Sequence, residues 1–138
     1  MTYQISFAKA YKYDTRETGI SVPISLQHGA VTIRLDAKID TGSSLCIFER
    51  QQGERLGLDI ETGIPQRISA AAGSFLAYGH EITILALGIE VSTTAYFAAD
   101  DGFTRNVLGR QGWLDHIRLG LIDYEGQLYL SAYDDALI

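Results

Sequence analysis

Period-two alternation of apolar and polar residues is the feature that most constrains the fold of this chain. Apolar side chains occupy every second position in residues 20–26 and again in residues 31–39, with His28-Gly29 between the two runs. Two alternating runs joined by a short glycine-containing connection are typical of an antiparallel β-hairpin with one buried face. Because this period recurs along most of the sequence, we predict a mostly β protein.

The same reasoning predicts the remaining elements. Residues 68–80 are predicted to form a hairpin that turns at Gly73-Ser74, and residues 119–132 a last hairpin that turns at Glu125-Gly126. No internal repeat, low-complexity segment or linker interrupts the pattern, so residues 1–138 are predicted to form one domain, a small barrel or sandwich of strands. Further strands are predicted at residues 81–87, 89–98 and 107–109, and short helices at residues 49–56 and 112–119.

Composition limits the possible partners and cofactors. The net charge is -6 and no run of Lys or Arg occurs, which argues against nucleic acid and anionic membranes as partners. The three histidines, His28, His80 and His116, are too scattered for a metal site, and no phosphate-binding or dinucleotide-binding glycine motif is present. We therefore expect neither a metal nor another cofactor.

The cysteine count and the N-terminal sequence suggest a compartment. Cys46 is the single cysteine, so an intrachain disulfide is impossible, and we expect a buried core residue rather than a nucleophile. The first 13 residues lack the continuous apolar core of a signal peptide. No stretch approaches the roughly 20 apolar residues of a transmembrane helix. These features predict a cytoplasmic protein.

One short motif could carry chemistry. Asp40-Thr41-Gly42-Ser43 follows directly on the second alternating run, so a carboxylate stands at the end of a predicted strand. An ordinary turn would use the same residues, because Asp accepts backbone N–H bonds and Gly permits a positive φ. The motif by itself leaves both interpretations open.

The downstream sequence distinguishes them. Roughly 65 residues after Asp40, the segment Asn106-Val107-Leu108-Gly109-Arg110 precedes a predicted short helix that contains Trp113-Leu114. An apolar strand, an Asp-Thr-Gly-Ser motif, a glycine-containing hairpin and two apolar residues with Gly before a helix occur here in that order. Residues 35–122 thereby resemble the retropepsin-like aspartic peptidases, which include retroviral proteases and bacterial and cellular relatives.

The resemblance implies a fold and an activity. It implies a small closed β-barrel with one or two short helices, acting as an endopeptidase on peptide or protein substrates, with Asp40 as the catalytic residue. Such hydrolysis needs two adjacent carboxylates that share one proton and activate water between them. The chain has one Asp-Thr-Gly motif, so a homodimer that joins two Asp40 residues is expected. Its closing strands are expected around Tyr3, Ile5 and Phe7 and around Leu128 and Leu130.

The resemblance also assigns supporting roles. Thr41 would brace the paired loops, Gly42 would permit close backbone approach, and Ser43 could donate a hydrogen bond to Asp40. The remaining implied site residues are Ala72, Gly73 and Ser74 in a flap over the substrate, and Val107, Leu108 and Gly109 packed beneath the catalytic loop.

Two alternative functions remain open at this stage. The first is a non-catalytic homodimeric module of the same fold, used for peptide binding or assembly. It is favoured by Lys38, which stands where the family usually has an apolar residue, and by the small residues of the flap. We expect Lys38 to face solvent on the opposite face of its strand. The second alternative is a generic β ligand binder in which the Asp-Thr-Gly triplet is accidental.

Overall fold

A computed structural model describes residues 1–71 and 73–136 of the chain. Helix α1 (Arg50–Arg55) and three single 3₁₀ turns accompany ten strands among these residues; the turns are Ile60–Thr62, Leu114–His116 and Asp123–Glu125. The strands are β1 (Lys9–Lys12), β2 (Ile20–His28), β3 (Val31–Ile39), β4 (Ile47–Phe48), β5 (Ile64–Ala70), β6 (Gly73–Ala86), β7 (Ile89–Ala98), β8 (Val107–Leu108), β9 (Ile117–Ile122) and β10 (Gln127–Ala132).

Six of the strands close a ring. Their order is β2-β3-β8-β4-β7-β6, and the ring closes because β6 pairs with β2 as well as with β7. The β3–β8 and β4–β7 pairs are parallel, whereas the other pairs in the ring are antiparallel. Closure removes the unpaired edges that an open sheet of these strands would expose. The predicted mostly β fold is confirmed, and its strands form the expected closed arrangement.

Alternation along β2 and β3 supplies one side of the core. Val22, Ile24 and Leu26 of β2 are buried together with Ile33 and Ala37 of β3, while the intervening residues are more exposed. Each large aliphatic side chain buried in this way contributes about 1.5–3 kcal/mol relative to an exposed one. The remaining large, fully buried side chains include Trp113, Phe48, Phe97, Leu56 and Ile60.

The first predicted hairpin is confirmed, with a small shift of its turn. The pairing of β2 with β3 runs from Ile20 opposite Ile39 to His28 opposite Val31. The two residues that connect the strands are therefore Gly29 and Ala30. Gly29 has φ 58°, a left-handed conformation that glycine adopts at little cost. The pairing places His28 in the strand rather than in the turn.

The helix predicted at residues 49–56 is confirmed, and of the one or two helical turns predicted at residues 112–119 a single 3₁₀ turn forms. Helix α1 lies inside the predicted residues 49–56, but residues 112–119 form only one 3₁₀ turn, Leu114–His116, before β9 begins. The Asp115 carboxylate accepts the Gly112 N–H at 3.0 Å and closes a turn there. Ile117 opposite Ala132 then starts a six-residue ladder with β10. Cross-strand pairing with β10 thus outweighs the helical spacing of the apolar residues.

A second sheet has the order β1-β10-β9. Phe7 packs on it, with its ring centroid 5.8 Å from that of Tyr129, whereas Tyr3 and Ile5 are exposed. The strand expected at residues 3–7 is therefore not formed in the single chain.

The Tyr13 hydroxyl donates to Asp123 at 2.6 Å and anchors the chain just after β1. Burial, the hydrogen bond and the nearby charge raise the pKa of Tyr13 to about 12.

The helices of the described residues are too short or too polar to cross a bilayer, and none meets the criteria for a membrane-spanning helix.

Candidate active site

Residues 40–46 form the loop that leads from β3 to β4, and backbone hydrogen bonds hold it on both sides. The Asp40 N–H donates to the Leu108 carbonyl oxygen at 3.0 Å, which extends the β3–β8 ladder to the motif. The N–H groups of Arg110 and Gln111 donate to the carbonyl oxygens of Ser43 and Ser44 at 2.9 and 2.8 Å. We call residues 40–46 the Asp40 loop. Its conformation is fixed by main chain on either side of Gly109.

The Asp40 carboxylate is held and yet accessible. Its Oδ1 atom accepts the Gly42 N–H at 2.9 Å, and its Oδ2 atom lies 3.5 Å from Nη2 of Arg105. The side chain retains 35% of its possible exposure. A carboxylate with one oxygen fixed by the backbone and the other in only a 3.5 Å contact with an exposed arginine is suited to proton transfer with a water or substrate.

The other loop residues take different positions from those implied by the sequence. The Ser43 hydroxyl donates to the Leu45 carbonyl oxygen at 2.8 Å, so the expected bond from Ser43 to Asp40 is not made. That bond closes the Asp40 loop locally instead. Thr41 is exposed, and the Gly42 α-carbon lies close to Asp40, since a Cβ added there would be 3.2 Å from Oδ1.

The residues beneath the loop explain the Val-Leu-Gly pattern. Val107 and Leu108 are buried with exposed fractions of 3% and 0%. A Cβ added at Gly109 would overlap the Leu45 carbonyl oxygen and would lie 2.8 Å from that of Ser43. The Asp40 loop can pass so close to the chain just after β8 only because residue 109 has no side chain. Val107, Leu108 and Gly109 thus lie against the Asp40 loop.

Cys46 ends the Asp40 loop and is fully buried. The Gly109 N–H points to its sulfur at 3.4 Å, and burial raises the pKa of the Cys46 thiol to about 11. The residue is thus a core thiol, as predicted.

Cys46 should be unreactive in the native protein. Because its thiolate is disfavoured by burial, we expect a thiol-specific disulfide reagent at pH 8 to label the folded chain at least about a hundredfold more slowly than the chain in urea. The stabilisation due to the protonated thiol is complete below the ordinary pKa of 9.0 and is lost as the pH rises towards 11. Absorbance of the released reagent measures the rate. Equal rates in both states would contradict the burial.

The β5–β6 hairpin covers the open side of Asp40. Its paired ends are Ala70 and Gly73, and Gly73 and Ser74 lie exposed near the tip, with Gly73 at φ 128°. Ala72, also predicted for the flap, lies outside the described residues. A cavity of about 470 Å³ lies between the hairpin and the Asp40 loop. We call this cavity the cleft.

Phe103 joins the hairpin to the loop before β8. Its ring is stacked on that of Phe75, with the centroids 4.9 Å apart, and both rings line the cleft. Sequence reasoning missed this contact, because the polar residues 100–105 indicated only a loop. The aromatic pair thus contacts the hairpin close to its tip, where Phe75 stands opposite Ile68.

Removing that pair should loosen the hairpin. We expect Phe103→Ala to increase amide exchange of residues 66–76 about tenfold, because the stacked rings of Phe75 and Phe103 join the hairpin to the loop before β8. Hydrogen exchange followed by mass spectrometry measures this. Phe7→Ala, which removes a second aromatic pair away from the cleft, is the matched control and should leave those residues unchanged. Unchanged protection in Phe103→Ala would show that the pair does not restrain the hairpin.

Two further side chains complete the surroundings of Asp40. Arg105, which sequence reasoning also missed, immediately precedes Asn106, whose carbonyl oxygen accepts the Lys38 N–H at 2.9 Å. This hydrogen bond brings Arg105 beside the end of β3, and the sequence gives no sign of that proximity without the pairing of β3 with β8. The stem of Lys38 lies along Gly19, where an added Cβ would be 3.3 Å from its Cδ atom, and Lys38 is not among the described residues that line the cleft.

Metal ligation finds no support in the described part of the chain. No group of three or more His, Cys, Asp or Glu side chains could hold an ion among residues 1–71 and 73–136. His80 contacts the Ile60 carbonyl oxygen at 2.9 Å, and His116 contacts Asp115 at 2.7 Å.

The ring of strands matches the fold of a retroviral protease. One solved structure of this kind is EIAV protease complexed with the inhibitor HBY-793, which superimposes with a TM-score of 0.54. The match covers 68% of this chain and 84% of that chain at 18% sequence identity, a level at which the likeness shows the fold alone. No family model matches the sequence. No curated protein matches it either.

Proposed function

We propose that this protein is an aspartic endopeptidase in which a homodimer activates water between two Asp40 carboxylates. The observation that carries the proposal is the placement of Asp40, which is fixed by the Gly42 N–H and opens into a cleft beneath a β-hairpin. The similarity of the fold to that of EIAV protease supports the same reaction class.

The chemistry follows from two carboxylates that share a proton. The ionised Asp40 takes a proton from water while the resulting hydroxide attacks the carbonyl carbon of the peptide bond. The protonated Asp40 of the second chain gives its proton to the carbonyl oxygen. When the tetrahedral intermediate collapses, the C–N bond breaks, the nitrogen takes the proton that the first Asp40 acquired from water, and one hydroxyl of the intermediate returns its proton to the Asp40 of the second chain. The substrate would lie extended along the hairpin, with strand-type hydrogen bonds.

The reaction needs a second copy because each chain supplies one such carboxylate. The second sheet offers a suitable surface, since β9 lies at its edge and exposes Leu121 and Ile122 at 46% and 44%. The exposed N-terminal side chains Met1, Tyr3 and Ile5 add apolar area. Apolar residues and an unpaired strand edge together favour association. In this proposal the terminal segments and β9 form the interface.

A charge in this surface should weaken the dimer and the activity together. We expect Leu121→Lys to raise the dimer dissociation constant at least about tenfold and to lower activity in parallel at low protein concentration. Leu85→Lys is the matched control, because Leu85 has similar exposure (42%) but lies on β6 of the ring. Analytical ultracentrifugation measures the mass. A strict monomer whose cleavage rate is linear in protein concentration would refute the shared site.

The direct test of the proposed function is cleavage of a random peptide library by the purified protein, with product analysis by mass spectrometry. Internal cleavage that depends on Asp40 is expected.

A second candidate function is a non-catalytic peptide-binding dimer. It is favoured by one observation, the Arg105 guanidinium beside the Asp40 carboxylate. Peptide binding without cleavage would support that candidate instead.

A further inference from the structure

The cleft has a charge balance opposite to that of the chain. The protein carries a net charge of -6, yet the charged residues among those described as lining the cleft are Arg67, Arg105 and one acid, Asp40. In the part of the chain that the structure describes, Arg67 takes part in no salt bridge. An excess of positive charge in a cleft attracts ligands of negative charge. The cleft is therefore suited to an acidic peptide.

Arg105 is held much less firmly than the arginines with structural roles. Arg50 donates from both terminal nitrogens to Glu61 and also to the Ala99 carbonyl oxygen, and only 22% of its side chain is exposed. Arg105 has a single 3.5 Å contact with Asp40, at the limit for a hydrogen bond, and its side chain is 60% exposed. Such a contact contributes little stability, so the guanidinium is free to bind another carboxylate.

The position of Arg105 also fixes where on the substrate it would act. Its Nη2 atom lies 3.5 Å from the Oδ2 atom of Asp40, so it stands beside the carboxylate proposed to activate water. A group so close to the reaction centre can reach only the side chains next to the scissile bond. Phe103, Phe75 and Val107 line the same cleft, and apolar walls of this kind strengthen a charge pair formed beside them.

We propose that Arg105 selects peptides with an acidic side chain next to the scissile bond, an inference that rests on the proposed peptidase function. The planar guanidinium can bind a carboxylate through two parallel hydrogen bonds, which an amide or an apolar side chain cannot match. In a dimer with two-fold symmetry, each half of the cleft presents one Arg105. The preference therefore applies on both sides of the cleaved bond.

Matched peptides test the inference. Library cleavage locates the preferred positions, and peptide pairs that differ only by Glu or Gln there give kcat/KM ratios. We expect the native protein to prefer Glu about tenfold or more, Arg105→Gln to abolish the preference, and Arg105→Lys to retain part of it. Arg16→Gln is the control, since Arg16 pairs with Asp14 outside the cleft. An unreactive Cys46 confirms that each variant is folded.

The outcomes separate this inference from the proposed function. Efficient cleavage without a Glu preference, or an equal loss on all peptides in Arg105→Gln, would overturn the inference and leave the peptidase standing. If nothing is cleaved, anisotropy of fluorescein-labelled peptides with Glu or Gln at the two central positions decides. Tighter binding of the Glu peptide that requires Arg105 would support the inference while the peptidase fails. Equal binding would overturn both.

Discussion

Replacing Asp40 by Asn should reduce kcat/KM for peptide hydrolysis by about a thousandfold or more. The change is nearly isosteric, and the amide oxygen can still accept the Gly42 N–H that now binds Oδ1 at 2.9 Å. Fold and dimerisation should persist, whereas no base remains to take a proton from water. Cleavage of a fluorogenic peptide chosen from the library measures the loss.

The chain contains a close control for this experiment. Asp100 also stands two residues before a glycine, and its Oδ1 atom accepts the Gly102 N–H at 2.8 Å, so its local geometry repeats that of Asp40. It does not line the cleft among the described residues. Asp100→Asn should therefore retain nearly full activity. Comparable losses in both variants would mean that the turn rather than the carboxylate matters, and full activity of Asp40→Asn would remove the catalytic assignment.

Gly109→Ala should be the most damaging single change to the fold around the site. The added methyl group would overlap the Leu45 carbonyl oxygen and lie 2.6 Å from the carbon of that group. Both are backbone atoms, which cannot turn aside as a flexible side chain would. We expect the free energy of unfolding to fall by about 3 kcal/mol or more, with activity lost as the Asp40 loop is displaced. Urea denaturation measures the first effect.

Gly29→Ala is the control for that substitution. Gly29 has φ 58° but nothing lies within 4 Å of a Cβ added there, so the expected loss is the conformational cost alone, about 1 kcal/mol. A larger loss of stability at Gly29 than at Gly109 would show that the backbone angle φ, and not the lack of room for a side chain, is what requires glycine at these positions.

Local sequence pattern was a sufficient guide where it was long and regular. Residues 20–39 alternate over two full strands, and one register alone buries Val22, Leu26 and Ala37 while exposing the polar residues between them. The local pattern was less reliable at residues 112–119. Trp113, Leu114 and Ile117 have helical spacing there, but the helical part ends after one turn and Ile117 pairs with Ala132 in a strand. A short apolar run has no period of its own strong enough to oppose pairing with a distant strand.

The sequence by itself determined the alternating strands of residues 20–39, the buried Val107-Leu108 pair and the carboxylate that follows β3. These are local properties, since hydrophobic period and turn chemistry act over a few neighbouring residues. Only the tertiary structure decided which groups Asp40 meets. Arg105 is 65 positions away along the chain, yet the parallel β3–β8 pairing sets the two side chains 3.5 Å apart. The Ser43 hydroxyl likewise donates to Leu45 and not to Asp40, because its hydrogen-bond partner depends on the path of the loop and not on residue type.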